Sequence, residues 1–140
     1  MKAIIRIHGL IKVKEDVAET LNKLRLRKKY TCVLINETPE SKGMIEKVRD
    51  YAAYGDINEK TLAEMIKFRG KVIGNSKAKP KDPEKLAKDI LAGKKAEELG
   101  IKPFFRLHPP RKGINTKAHF PKGALGNHED KINDLIKRML

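Results

Sequence analysis

The sequence predicts an α+β fold: a small β-α-β-α-β core with a helical, basic C-terminal extension. Three observations predict it. Two short apolar runs rich in β-branched residues, at 3–7 and 31–35, bracket a segment whose apolar residues recur with the helical period. A second helical segment and a third short stretch follow by residue 57. Beyond residue 58, helical segments alternate with tracts rich in Lys, Gly and Pro.

Taken in order, residues 3–7 (AIIRI) read as a strand with little exposed surface, ended by His8-Gly9. Val17, Leu21 and Leu24 then recur at i, i+4 and i+7. Glu15, Asp16 and Glu19 crowd the start of that helix and Lys23, Arg25 and Arg27 its end, matching the helix dipole. Residues 31–35 (TCVLI) form a second buried strand, broken by Asn36-Glu37-Thr38-Pro39. Thr38 is placed to cap, and Pro39 to open, a second helix in which Met44, Ile45, Val48, Tyr51 and Ala52 share one face. Residues 53–57 supply a third strand, so two helices are expected over one face of a small sheet.

The extension begins with Asn58 as cap for a helix near 58–69, carrying Leu62, Met65 and Ile66 and ending at Gly70. The tract 67–81 holds six bases and no acid and reads as a loop or arm. Asp82-Pro83-Glu84 restarts a helix near 83–92, with Gly93 as its stop. A short strand at 104–107 must end at Pro109-Pro110, which cannot donate to a ladder. Asn127 is placed to cap a final amphipathic helix near 128–139, with Ile132, Leu135, Ile136 and Met139 on one face. The expected division is a core at 1–57 and an extension at 58–140, packed on the core as one domain.

Lys and Arg number 32 against 18 acids, a net charge of +14 with a pI near 9.9. Such a balance points to a polyanion, nucleic acid first and acidic lipid second. No stretch approaches the roughly 20 apolar residues of a membrane span, and MKAIIRIHG is too short and too charged for a signal peptide, so a cytoplasmic protein is expected. A lone Cys32 excludes an internal disulfide, and the nearest two of the four histidines are nine apart without thiols between them, a poor zinc pattern. Without a triad setting or a P-loop ending, the reading is no enzyme, no cofactor, no metal and no small-molecule substrate.

Residues 108–126 form a basic loop carrying Arg111, Lys112, Lys117 and Lys122, with no acid before Glu129 and no apolar periodicity for a helix or buried strand. So charged a stretch is expected to be mobile in the free protein and to become ordered only on something negative. Arg106, Arg111, Lys112, Lys117 and Lys122 are candidates to neutralise phosphates, while His108, Pro109 and His119 offer stacking or shape contacts. Lys42 and Gly43 lie in the first turns of the second helix, where glycine costs about 1 kcal/mol relative to Ala. Close backbone approach, to RNA or to the sheet, would account for it. The glycine turn at 123–127, leading into a helix, is a candidate anion site.

Two separated blocks carry a family resemblance. One is Leu24-Arg25-Leu26-Arg27-Lys28, Asn36-Glu37-Thr38-Pro39, Lys42-Gly43-Met44 and Tyr54-Gly55. The other is Phe105-Arg106-Leu107-His108-Pro109-Pro110-Arg111-Lys112-Gly113, then Gly123, Leu125-Gly126-Asn127 and the closing helix. In this order they resemble the archaeal and eukaryotic-type large-subunit ribosomal protein of the L-thirty family, whose eukaryotic member is called L-seven. The resemblance implies a ferredoxin-like core with an archaeal-type extension and a structural role without catalysis. It implies 23S-type ribosomal RNA as partner, with neighbouring large-subunit proteins and a place near 5S RNA. It also implies RNA contacts for Arg25, Arg27 and Lys28, which helix-dipole complementarity alone would otherwise explain. Two other readings fit the charge or the fold: a DNA-binding or chromatin protein, and a small ferredoxin-like enzyme acting on acyl phosphates. No helix gathers bases along one face for a DNA groove, and Gly9-Leu10-Ile11-Lys12 makes a poor phosphate cradle.

Overall fold

The central strand of the sheet is the one the sequence marks most strongly. In the computed structural model, which describes residues 1–114 and 116–140, every residue from Ala3 to Ile7 is buried. Strand β1 (Lys2–Arg6) lies between β2 (Thr31–Ile35) and β3 (Ala52–Asp56), antiparallel to both. Strand β4 (Phe104–Arg106) adds antiparallel to β2, and β5 (Gly126–Asn127) adds parallel to β3, giving the order β4-β2-β1-β3-β5. Strand limits fall within two residues of the sequence expectation, the usual uncertainty at element ends.

The helices divide between the two faces. Ile4, Val33 and Ala52 pack with Val17 and Leu21 of α1 (Glu15–Lys23) and Ile45 and Val48 of α2 (Pro39–Val48). Ala3, Ile5, Cys32, Ala53 and Phe105 pack instead beneath α3 (Glu59–Arg69), α4 (Pro83–Leu91) and α5 (Ile132–Met139). Two helices thus cover one face as expected, and the extension supplies the cover for the other. A strand covered on both faces has no need to alternate, which is why residues 3–7 read as a nearly continuous apolar run. Helix α2 crosses between the parallel strands β2 and β3, which flank β1, whereas α1 joins the antiparallel pair β1 and β2, with segments 7–14 and 24–30 carrying the chain back to the end where β1 finished.

Two caps form as their residue types dictate. Thr38 and Ser41 make a reciprocal capping box, and the Asn58 side chain accepts from Thr61 N at 2.8 Å. The last helix differs from expectation. Asn127 is a strand residue whose Oδ1 accepts from Glu129 N at 3.0 Å; a 3-10 turn (Glu129–Lys131) follows, and α5 begins only at Ile132. The glycine turn at 123–127 therefore opens no helix, and the anion-site reading of it falls.

Docking of α5 rests on two residues whose roles have no local sequence signature. Buried Asn133 donates from Nδ2 to the Asp56 and Asp130 carbonyls, and its Oδ1 accepts from Asn58 N. Gly55 allows the approach, since a Cβ there would collide with the Glu129 carbonyl oxygen and the Ile132 side chain.

Candidate nucleic-acid interface

Strands β1 and β4 finish, and β2, β3 and β5 begin, at the same end of the sheet. The segments 7–14, 24–30, 49–51 and 107–125 and the chain terminus therefore meet there. Backbone hydrogen bonds tie them: Tyr30 N to Arg6 O at 2.7 Å, Leu107 N to Tyr30 O and His108 N to Met139 O at 2.9 Å, and His8 N to Tyr51 O at 3.0 Å.

Beneath this end lies Arg6, 2% exposed. Its Nε donates to His8 O (2.9 Å), Nη2 to Gly9 O (3.0 Å), and Nη1 to Leu26 O (2.7 Å) and Arg27 O (3.2 Å). Burial lowers its pKa, and the four carbonyl bonds satisfy most of the five guanidinium donors. In the sequence, a single base inside the apolar run 3–7 is the only signal of this role.

Exposed around this end are Arg27, Lys28, Arg106, His108, Pro109, Arg111, Lys112, Lys117 and Lys122. None of their Lys or Arg side chains is paired with a carboxylate among the described residues. Pro110, by contrast, is buried. The Arg138 guanidinium donates to the Arg111 carbonyl at 3.0 Å and to that of Gly113, holding the start of the basic loop against α5.

Three expected site residues lie elsewhere. Arg25 takes a left-handed backbone (φ 61) and its side chain pairs with Glu97. It lines a groove of about 460 Å3 with Thr38, Ser41 and Met44 from the α2 start. Lys42 and Gly43 sit in that first part of α2, beyond the end of β2 and so at the opposite end of the sheet. Gly43 has nothing within 4 Å of a Cβ position, so close packing on the sheet does not account for the glycine.

The basic loop contains more structure than its sequence suggests. Asn115, within the expected loop 108–126, lies outside the described residues. Phe120 N donates to Leu125 O at 2.7 Å, Ala124 N to Thr116 O at 3.2 Å, and Gly123 N to His119 O at 3.1 Å. Ala124 and Leu125 are buried and lead into β5, correcting the expectation that no buried strand occurs here. His119 also has a structural partner: its Nε2 donates to Asp50 Oδ1 at 2.8 Å, and its ring lies where a side chain on Gly126 (φ 85) would sit. Two-residue strands of Gly and Asn have little intrinsic β preference, so nothing local announced β5.

Between this loop and α5 opens a cleft of about 500 Å3 lined by Lys112, Lys122, Lys131 and Arg138, with Asp134 the only carboxylate among the lining residues. Lys131 sits 5.5 Å from the Phe120 ring centroid. Lys131 and Arg138 were missed because they read as the polar face of the last helix; their spacing of seven was the available signal.

Catalytic groups are not assembled in this way. Cys32 is fully buried, and burial pushes its thiol up to about 12, far from a reactive thiolate. Among the described residues, no three His, Cys, Asp or Glu side chains gather as metal ligands, and no helix is long and apolar enough to cross a membrane.

The chain has a two-faced α+β fold with a group of unpaired cations on loops at one end of its sheet, a feature common among polyanion-binding proteins. The family described as Ribosomal protein L30p/L7e matches residues 2–52. Over 99% of its length the chain is 45% identical to a protein of Archaeoglobus fulgidus named large ribosomal subunit protein uL30, covering 99% of that relative. It is similar to proteins of the same name from Nanoarchaeum equitans (44% identity, 99% of this chain and 97% of the relative) and Methanococcus maripaludis (40%, 99% and 98%). The chain belongs to the uL30 family of large ribosomal subunit proteins, and it is not an enzyme.

Proposed function

We propose that this chain is a structural constituent of the large subunit of cytoplasmic ribosomes and binds 23S-type ribosomal RNA through the basic end of its sheet. The observation that carries the reading is the set of unpaired cations, Arg27, Lys28, Arg106, Arg111, Lys112, Lys117 and Lys122, on loops that the sheet brings to one end. Phosphates meet these side chains, and His108 and Pro109 contribute shape contacts beside them. His119 lends a partly exposed ring edge while holding Asp50. Arg25, Lys42 and Gly43 belong to a second, smaller contact at the opposite end. Neighbouring large-subunit proteins, and 5S RNA close by, complete the surroundings. Residues 1–57 serve as the core, and the archaeal-type extension 58–140, packed on it as one domain, supplies the loop 108–126.

Co-sedimentation with the large subunit through a high-salt cushion tests the reading. Retention is the expected result. Competition between structured ribosomal RNA and duplex DNA at one salt concentration separates it from the DNA-binding alternative, since preference for duplex DNA would overturn it.

A further inference from the structure

We propose that Leu10 and Ile11 form an apolar contact for an unpaired nucleobase of the bound RNA, with buried Arg6 holding this tip and the Arg27 and Lys28 loop in one fixed arrangement. The inference rests on the RNA-binding reading above and assigns it a contact of a different kind.

Leu10 and Ile11 are the most exposed large apolar side chains among the described residues, at 73% and 78%. Isolated exposed leucines are ordinary, but these two are consecutive and stand on a backbone that is fixed at its base. The Arg6 guanidinium binds the carbonyls of His8 and Gly9 just before the tip, and those of Leu26 and Arg27 in the neighbouring loop. One buried side chain therefore sets the spacing between an apolar tip and two exposed cations. Lys12 has a left-handed backbone (φ 58), which turns the chain sharply after the tip.

The charge around the tip selects the occupant. Lys12, Lys14, Arg27 and Lys28 are exposed, and none is ion-paired among the described residues. Two side chains are far too little for a protein interface, which takes about 800 Å2 from each partner, and too little to anchor a chain on a lipid surface. They match the apolar face of one splayed base, whose flanking phosphates would meet the surrounding cations. A tip fixed before binding loses little entropy when it makes that contact.

The test uses the full chain and a 23S-type ribosomal RNA fragment titrated at several salt concentrations. Because both side chains are exposed, the double variant Leu10→Ser, Ile11→Ser should fold with an unchanged thermal transition. Its affinity should fall roughly three- to tenfold, as expected for lost apolar burial, with the salt slope unchanged because no phosphate contact is lost. Arg27→Ala with Lys28→Ala should instead lower the slope by about 1.4 to 1.8. Arg6→Lys keeps the charge but cannot span four carbonyls, and should weaken binding with a reduced slope. If that variant does not fold, hydrogen exchange in the wild-type protein replaces it, and amides of residues 9–12 and 26–28 should gain protection together on RNA. Independent protection of the two loops would overturn the role given to Arg6. Unchanged affinity of the double serine variant, or a changed slope, would overturn the apolar contact even while the Arg27 and Lys28 variant upholds RNA binding. Loss of co-sedimentation with whole subunits, or of binding to anionic vesicles, without loss of RNA affinity would reassign the tip to protein or lipid. If neither tip nor cation variants alter RNA affinity, the RNA-binding reading itself falls.

Discussion

The two ends of the sheet use their charged residues in opposite ways. At the end where β2 finishes, Lys2 bridges Asp56 (3.0 Å) and Glu37 (3.3 Å). Partial burial alone would lower the Lys2 pKa, yet the bonds and charges of Asp56 and Glu37 outweigh it and hold the pKa above its ordinary value. Asn133 and the close contact at Gly55 seal α5 onto the same end. At the other end Arg27, Lys28, Arg106, Arg111, Lys112, Lys117 and Lys122 are exposed and, among the described residues, paired with no carboxylate. Two acids near this end, Asp16 and Asp50, are engaged by Lys47 and His119. Net charge therefore does not locate a binding surface by itself. Pairing narrows the choice, because a cation already neutralised by a carboxylate has less to gain from a phosphate.

The sharpest way to break this contrast is to remove charge at each end separately. Replacing Arg27, Lys28, Arg111 and Lys112 with Ala should lower ribosomal RNA affinity by roughly a hundredfold or more and reduce the salt slope by about 3 to 4. Removing Lys2, already paired with Asp56 and Glu37, should change affinity by less than about twofold. Filter binding across a salt series measures both, and equal losses from the two ends would erase the distinction.

Stability should show the reverse pattern. Gly55→Ala forces the Glu129 and Ile132 backbone away from β3 and should cost about 1 to 3 kcal/mol, the usual range for overpacking. Denaturant unfolding measures the loss, and RNA affinity per folded molecule should hold. A neutral Gly55→Ala would mean that α5 docks more loosely than its contacts indicate.

Limited proteolysis sharpens the comparison within the open end itself. Arg111 is held by Arg138 through N and O, and Lys122 lies between the Thr116 and His119 hydrogen bonds. Trypsin should therefore cut first after Lys117, with ribosomal RNA protecting the site. First cleavage after Arg111 would show that the α5 contact is weak in solution.

The smallest expected effect is a pH dependence at the open end. Burial, only partly offset by the Ala124 carbonyl bond, lowers the pKa of His128 below 6.5. In the window beneath 6.5 the unfolded chain binds a proton that the folded chain does not. Stability is therefore complete above that value and declines as pH falls through it, by at most about 1.4 kcal/mol per pH unit for one proton. Thermal unfolding between pH 7.5 and pH 5 should show this decline, and His128→Gln should flatten it.

Much of the fold was legible because its causes are local. Residues 3–7 announced a strand buried on both faces, the Val17, Leu21 and Leu24 spacing announced α1, and Thr38 and Asn58 marked helix starts that the capping bonds bear out. The strand β5 and the delayed start of α5 were not legible, because a Gly-Asn pair becomes a strand only when β3 offers an edge to it.

By itself, then, the sequence determined the strands and helices whose apolar periods and caps act over a few residues, together with the net charge and the family. Only the tertiary structure decided which cations are neutralised and which are free, since Arg25 reaches Glu97 and Lys2 reaches Asp56 across long separations in the chain. It also decided that Arg6 binds carbonyls 20 and 21 residues away, and that Asn133 closes onto Asp56 and Asn58, 77 and 75 residues away. The physical reason is common to all of these. A hydrogen bond or ion pair between distant residues leaves no period, cap or turn in the sequence around either partner, and it exists only once the sheet has brought the two together.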